Sequence, residues 1–491
     1  MNKTINKFQN IVLVILIIFI AIYIVFLNRL EVADELWNFQ NICKMSNGFK
    51  IYVDANVIIT PIFFYIANIL FNIFGANMLT FRLYNILIYI LIFIVCYRIL
   101  RNLKVSKNFL IIYMAFILEF VFSVMTAGAN YNMLAMLFVL IGWNLYISKK
   151  SNNFLQGILI FLIFFTKQNL GAIYAITIIV YELCLNKFSK KFVLDQFKKF
   201  LFFLIPTILI LVYMYIDGNL LGFLNYAFGG ILDFGKSNNV FIAYGYYSFI
   251  PFIVLGLYIF IAIKRKTILK EVIDDEKFRN LTLLFIFSMG NTLIVYPIMN
   301  SAHFTMVMPI YIIFICYLFG ILIFENLFSD EKYIENIKWL TIGIIFALVL
   351  RIIFNIFSES DATFINDKNS NFFGVYLYNE TLEKSRKMEH YIKNRNEDGV
   401  DVMILSYDAA VPMINLKQSH GAYDLLFNGN LGYDGINKIK EDIRNRKNTE
   451  FLIVTDEKDV FWQEPLEIRD FIIENLDYSG QICNYSIYRT N

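Results

Sequence analysis

Two adjacent carboxylates, Asp34 and Glu35, stand just past the apolar run 11–28. Further polar groups interrupt later apolar runs: Arg82 in "FRLYNIL", Tyr131 and Asn132 in "AGANYNML", Lys167 in "FFTKQNLG" and His303 in "YPIMNSAHF". Each has an ordinary explanation when taken singly. An acid pair at the end of a span is usually a solvated loop, and a Lys near a helix end usually snorkels to the headgroups. Taken together, one carboxylate with Lys, Arg or His suits group transfer from a phosphate-linked donor. A base removes the proton from an incoming hydroxyl, and cations hold the phosphate as negative charge builds on it. A sugar carried on a lipid phosphate is such a donor, and its phosphate leaves without a general acid. Glycoside hydrolysis needs two carboxylates flanking one bond. Adjacent residues on a helix point about 100° apart, so Asp34 and Glu35 fit that role poorly. One of them can act as base while the other orients it, binds acceptor or holds a metal ion.

These groups matter only if the chain brings them to one side of a membrane. Of the residues, 58% are hydrophobic and only 17% charged, and the mean hydropathy is +0.58. That is too little charge for a soluble surface on a chain of 491 residues. Apolar runs predict spans at roughly 11–28, 80–98, 109–126, 131–148, 154–166, 170–185, 201–216, 246–263, 281–296, 304–323 and 338–357, about eleven in all. The run 57–75 contains Pro61, Asn68 and Asn72 and is expected to be interfacial or re-entrant. The segments assigned to the cytoplasm hold 21 Lys and Arg, against 5 in the outer segments before residue 357. The positive-inside rule therefore sets the N-terminus in the cytoplasm and the acid pair outside. A net charge of +3 gives no reason to expect a nucleic-acid partner. The five cysteines show no metal-type spacing.

Beyond residue 357 the composition becomes that of a soluble domain. "VDVMILS" (400–406), "EFLIVTD" (450–456) and "NYSIYR" (484–489) read as strands, with "GYDGINKIKEDIRNRKN" as a helix between them. The expected architecture is an α-helical polytopic membrane domain, 1–357, followed by an extracytoplasmic α/β domain, 358–491. The turn-rich stretch 423–435 lacks the context of a dinucleotide-binding loop.

The stretch 33–75, "ADELWNFQNICKMSNGFKIYVDANVIITPIFFYIANILFNIFG", resembles the first outer loop of the GT-C glycosyltransferases. It looks most like the branch of protein O-mannosyltransferases and lipid A aminoarabinose transferases. The series consists of the acid pair, Gly48, Tyr52-Val53-Asp54, Pro61 and Phe74-Gly75. Arg82, Tyr131-Asn132, "TKQNLG" and "YPIMNSAHF" extend it, although Asn300 and Ser301 stand where the family often has Asp. The resemblance implies a multi-pass enzyme of the cell membrane that moves a sugar from a polyprenyl-phosphate donor to an envelope glycan, lipid or protein, with inversion. It implies Asp34 as base with Glu35 beside it, and Asp54, Arg82, Tyr131, Asn132, Lys167, Gln168 and His303 as substrate contacts. It leaves a divalent cation open, since the family has members of both kinds. The C-terminal part resembles extracytoplasmic domains appended to bacterial members. Rival readings are a flippase or transporter for a lipid-linked sugar, and a glycan polymerase or ligase. A transporter is expected to show mid-span helix breaks, and Gly290-Asn291 in "LFIFSMGNTLIVYP" is the one such feature.

Overall fold

The computed structural model describes residues 34–105, 131–231, 249–267, 271–295, 301–321, 361–406, 410–421, 426–433, 435–456 and 463–490, with scattered positions between them. The predicted spans 109–126 and most of 11–28 and 338–357 lie outside the described residues, as do 127–130 and 296–300. Helix accounts for 69% of the structure, with a small sheet region toward the C-terminus. Among the described residues, three helices are long and apolar enough to cross a membrane: Met78–Asn102, Gln168–Asn186 and Lys190–Asp217. The chain forms two compact units, one of Met1–Ile24, Asn85–Leu209 and Val240–Glu359, the other of Val25–Tyr84, Ile210–Asn239 and Ser360–Asn491. The last segment of the second unit begins at Ser360. That unit also takes in two segments that the sequence assigned to the membrane part.

The helices are α1 (Asp34–Ser46), α2 (Ile62–Phe74), α3 (Met78–Asn102), α4 (Tyr131–Ile147), α5 (Asn153–Phe164), α6 (Gln168–Asn186) and α7 (Lys190–Asp217). They continue as α8 (Leu220–Leu224), α9 (Ile250–Lys264), α10 (Asp275–Thr292) and α11 (Ser301–Phe319). In the first unit α4 packs on α5, α5 on α6, and α10 on α6, α9 and α11. Its aromatic hub is Phe287 of α10, with Trp143 at 5.3 Å and Tyr174 at 5.6 Å between ring centroids. Tyr174 donates to Gln156 Oε1 at 2.9 Å, so a buried hydroxyl and a buried amide satisfy each other. A Cβ on Gly142 would lie 1.7 Å from that hydroxyl, which is why α4 carries glycine there. Glu182 is held by Lys199, Gln196 and Tyr146, a fully partnered ionic group inside apolar helices. Helix α10 runs unbroken through Gly290 and Asn291. A Cβ on Gly290 would meet Thr177 Cγ2 at 2.2 Å, and Asn291 donates to the Phe287 carbonyl at 2.7 Å. Gly290 thus permits close packing of α10 on α6.

In the second unit, α1 packs on α2 through Trp37 with Phe64 and Phe39 with Phe71. A short hairpin, β1 (Ala362–Phe364) with β2 (Tyr376–Tyr378), precedes α12 (Asn379–Glu397). The main sheet is built from β3 (Asp401–Ile404), β4 (Thr449–Val454), β5 (Asp477–Ile482) and β6 (Tyr485–Arg489), in the order β3-β4-β6-β5. β3 and β4 are parallel, and the other pairs are antiparallel. Three further helices, α13 (Ala410–Leu416), α14 (Gly435–Asn445) and α15 (Leu466–Asn475), complete the domain. Met403 and Phe451 face α14 and α15, whereas Val402, Ile404 and Leu452 face α12 and α13. Burial of both faces is why β3 and β4 read as continuous apolar runs.

Cys483 is exposed in the β5–β6 turn. The orientation read from the basic residues predicts that a membrane-impermeant maleimide labels Cys483 on intact cells. Labelling that appears only after permeabilisation would reverse the orientation.

Candidate functional site

The sequence-predicted residues divide between the units, each of which holds its own group. In the second unit, Asp34 is the first described residue of α1. The placement of its side chain lies outside the described residues. Glu35 faces Arg82 from the first turn of α3. Arg82 Nε donates to Oε1 at 2.7 Å and Nη2 to Oε2 at 2.9 Å, with the side chains only 5% and 1% exposed. This is the two-pronged guanidinium–carboxylate geometry that fixes orientation as well as charge. Both oxygens of Glu35 are therefore committed to Arg82, which suits a part in positioning α1 better than one as base.

Asp54 closes the turn that follows α1. Its Oδ2 accepts the Lys50 N–H at 2.7 Å, and its own N–H donates to the Lys50 carbonyl at 2.8 Å. Tyr52 takes a positive φ of 69° in that turn and donates from its hydroxyl to the Ile59 carbonyl at 2.6 Å. The carboxylate expected to touch substrate is thus engaged in local structure.

A buried ionic cluster was not anticipated. Lys44, in the last turn of α1, lies 2.8 Å from Asp424 Oδ2 and donates to the Asp54 carbonyl at 3.3 Å. Ser419 donates to the same carbonyl at 2.8 Å. His420 stands between two carboxylates, its Nε2 3.2 Å from Asp401 and its Nδ1 3.4 Å from Asp424. Burial works to lower the His420 pKa, but hydrogen bonds and charge from Asp401 and Asp424 prevail and raise it to about 9. Burial likewise works to raise Asp424, but the charge of Lys44 and the bond to His420 bring it down to about 2. The spacing of His420 and Asp424 hints at a local pair. Nothing in the sequence links either of them to Lys44.

In the first unit, Lys167 is the residue before α6 and Gln168 its first residue, buried at the helix start. Lys167 Nζ donates to Asn132 Oδ1 at 2.5 Å and lies 5.8 Å from the centroid of the Tyr131 ring. Four residues chosen from two separate stretches therefore gather at the start of α6. The ammonium and the positive end of the α6 dipole add to make this a place that attracts anions. His303 lies in the first turn of α11, and its side chain is outside the described residues. Among the described residues, no cluster of three or more His, Cys, Asp or Glu could hold a metal ion.

Two outcomes follow. Arg82→Ala leaves the Glu35 carboxylate buried without its cation and lowers stability by about 3–5 kcal/mol, read as the denaturation midpoint of the purified protein. An unchanged midpoint would show that the pair is not structural. A His420 pKa raised from 6.5 to about 9 contributes stability that is complete below 6.5 and is lost as pH rises through about 9. The melting temperature therefore falls over that interval, and His420→Gln removes this part of the fall. The same slope in the variant would contradict the assignment.

Compared with known proteins, the chain matches no family model, no curated protein and no solved structure.

Proposed function

We propose that the chain is an integral membrane glycosyltransferase of the GT-C type. It moves a sugar from a polyprenyl-phosphate donor to an acceptor outside the cytoplasm, with inversion at the anomeric carbon. The observation that carries this reading is the meeting of Lys167 with Asn132, at 2.5 Å and beside Tyr131, at the start of α6. The resemblance implied these residues as substrate contacts, and a localised ammonium at a helix start is suited to hold a phosphate. The ordered series from Asp34 to Gly75 and the one-sided distribution of Lys and Arg add support. With about eleven crossings, the N-terminus is cytoplasmic and the C-terminal sheet domain lies outside.

In the proposed reaction, Asp34 accepts the proton of the acceptor hydroxyl as its oxygen attacks the anomeric carbon. The bond from that carbon to the phosphate oxygen breaks, and polyprenyl phosphate leaves with the electron pair. A cation balances the charge gathering on the phosphate. Glu35, held by Arg82, fixes the first turn of α1 and so the direction in which Asp34 is presented.

Purified protein in lipid vesicles, supplied with radiolabelled polyprenyl-phosphate sugars and an envelope extract, tests the reading. Asp34→Asn lowers transfer by about 10²-fold or more, while the protein still inserts and purifies as before. Lys167→Met lowers it by about 10²–10³-fold. Undiminished transfer by the Asp34 variant would remove that residue as base.

A further inference from the structure

At the end of α7 the helix closes with Gly218 at φ +81°, and the N–H of Asn219 returns to the Met214 carbonyl at 3.0 Å. The chain re-enters helix at once as α8 and continues as a single π-turn, Asn225–Gly229. One face of this ten-residue stretch is buried. Phe223 packs on Tyr52 at 5.2 Å, Ala227 is enclosed, and Gly222 lies so close to the Tyr52 carbonyl that a Cβ would approach it to 2.0 Å. The other face is also apolar and is open. Leu221 is 81% exposed, Leu224 45% and Phe228 38%, at the i, i+3, i+7 spacing of one helical stripe. Just before it, Tyr215 and Ile216 are 74% and 78% exposed at the end of a helix long and apolar enough to cross a membrane.

The same stretch grips the C-terminal domain. Asn225 Oδ1 accepts the Tyr433 N–H at 3.0 Å, and a Cβ on Gly432 would lie 2.4 Å from Asn225 Nδ2. Tyr433 itself is 73% exposed beside the stripe. Lys50 donates to the Asp217 carbonyl at 2.6 Å, marking a polar level at the helix end.

We infer that residues 220–229 are an interfacial helix, seated in the outer lipid layer where α7 leaves it, which fastens the C-terminal sheet domain to the membrane surface through Asn225. Lipid is the occupant because the open stripe directly follows a spanning helix, and because aromatic and charged residues stand at the levels where they flank hydrocarbon. The sheet domain is thereby held at a fixed height over the bilayer rather than swinging on the chain that joins it. The inference does not depend on sugar transfer.

The test uses the full chain carrying Cys184→Ser and Cys483→Ser, with Leu221→Cys bearing an environment-sensitive fluorophore, in phosphatidylcholine vesicles. A matched protein carries the probe at Tyr478→Cys, an exposed position on β5. Both positions are open, so neither label disturbs packing. An interfacial helix sinks its apolar face about 5–10 Å into the headgroup–acyl boundary, so lipids spin-labelled high on the acyl chain remove about half of the emission at 221. They remove none at 478, and iodide quenches only at 478. Quenching at 221 by iodide but not by lipid would overturn the inference. Quenching by neither would show that protein covers the stripe, and would overturn it equally.

Discussion

The second unit depends on a buried cation. Lys44 is 6% exposed, and an ammonium that far from water is tolerable only with a close counter-charge and further acceptors. Asp424 supplies the charge and the Asp54 carbonyl the additional acceptor. His420 and Ser419 then organise the same point from the strand side. The result is that α1, directly after the first predicted span, packs against α13 of the C-terminal sheet domain. This also explains an otherwise odd helix. Glu35, Asn38, Gln40, Asn41 and Lys44 are all buried in α1, and Glu35 and Lys44 find their partners on elements distant in sequence. The helix that begins with Asp34 is therefore clamped at both ends, by Arg82 at its start and Asp424 at its finish. A base works only when its direction is fixed, so this clamping is the structural contribution to the proposed chemistry.

The first unit meets a different demand. Its helices are largely apolar, and three pairs of the polar groups they retain satisfy each other: Tyr174 with Gln156, Glu182 with Lys199, and Lys167 with Asn132. The first two pairs bind helices together. The third stands at the start of α6, where the helix dipole adds to the charge of the ammonium. Chemical meaning therefore rests on where a pair stands more than on which residues make it.

Much of this was legible in the sequence wherever periodicity or composition was strong. The strands at 401–404, 449–454 and 485–489 announce themselves as β-branched and aromatic runs, and the helix at 435–445 by its amphipathic spacing. β5 was not legible, because "DYSGQI" is a polar edge strand held by its pairing with β6. α12 was hidden by its charge, since it buries only Ser385, Met388 and Ile392. α7 begins at Lys190, well before the apolar run at 201, because its charged first turns carry no apolar signal. At the site, residue types were legible and pairings were not. Glu35 and Arg82 were both singled out, but their mutual commitment appears only in three dimensions. Lys44 was counted as an ordinary loop cation, because the partner that buries it lies near the other end of the chain.

The central claim is that sugar passes from phosphate to hydroxyl in a single displacement. The most direct measurement is the anomeric configuration of the product, by NMR, from a polyprenyl-phosphate sugar of defined linkage. The account predicts that a β-linked donor gives only an α-linked product. A product of retained configuration, or no glycosylated product from any polyprenyl-phosphate sugar, would contradict it.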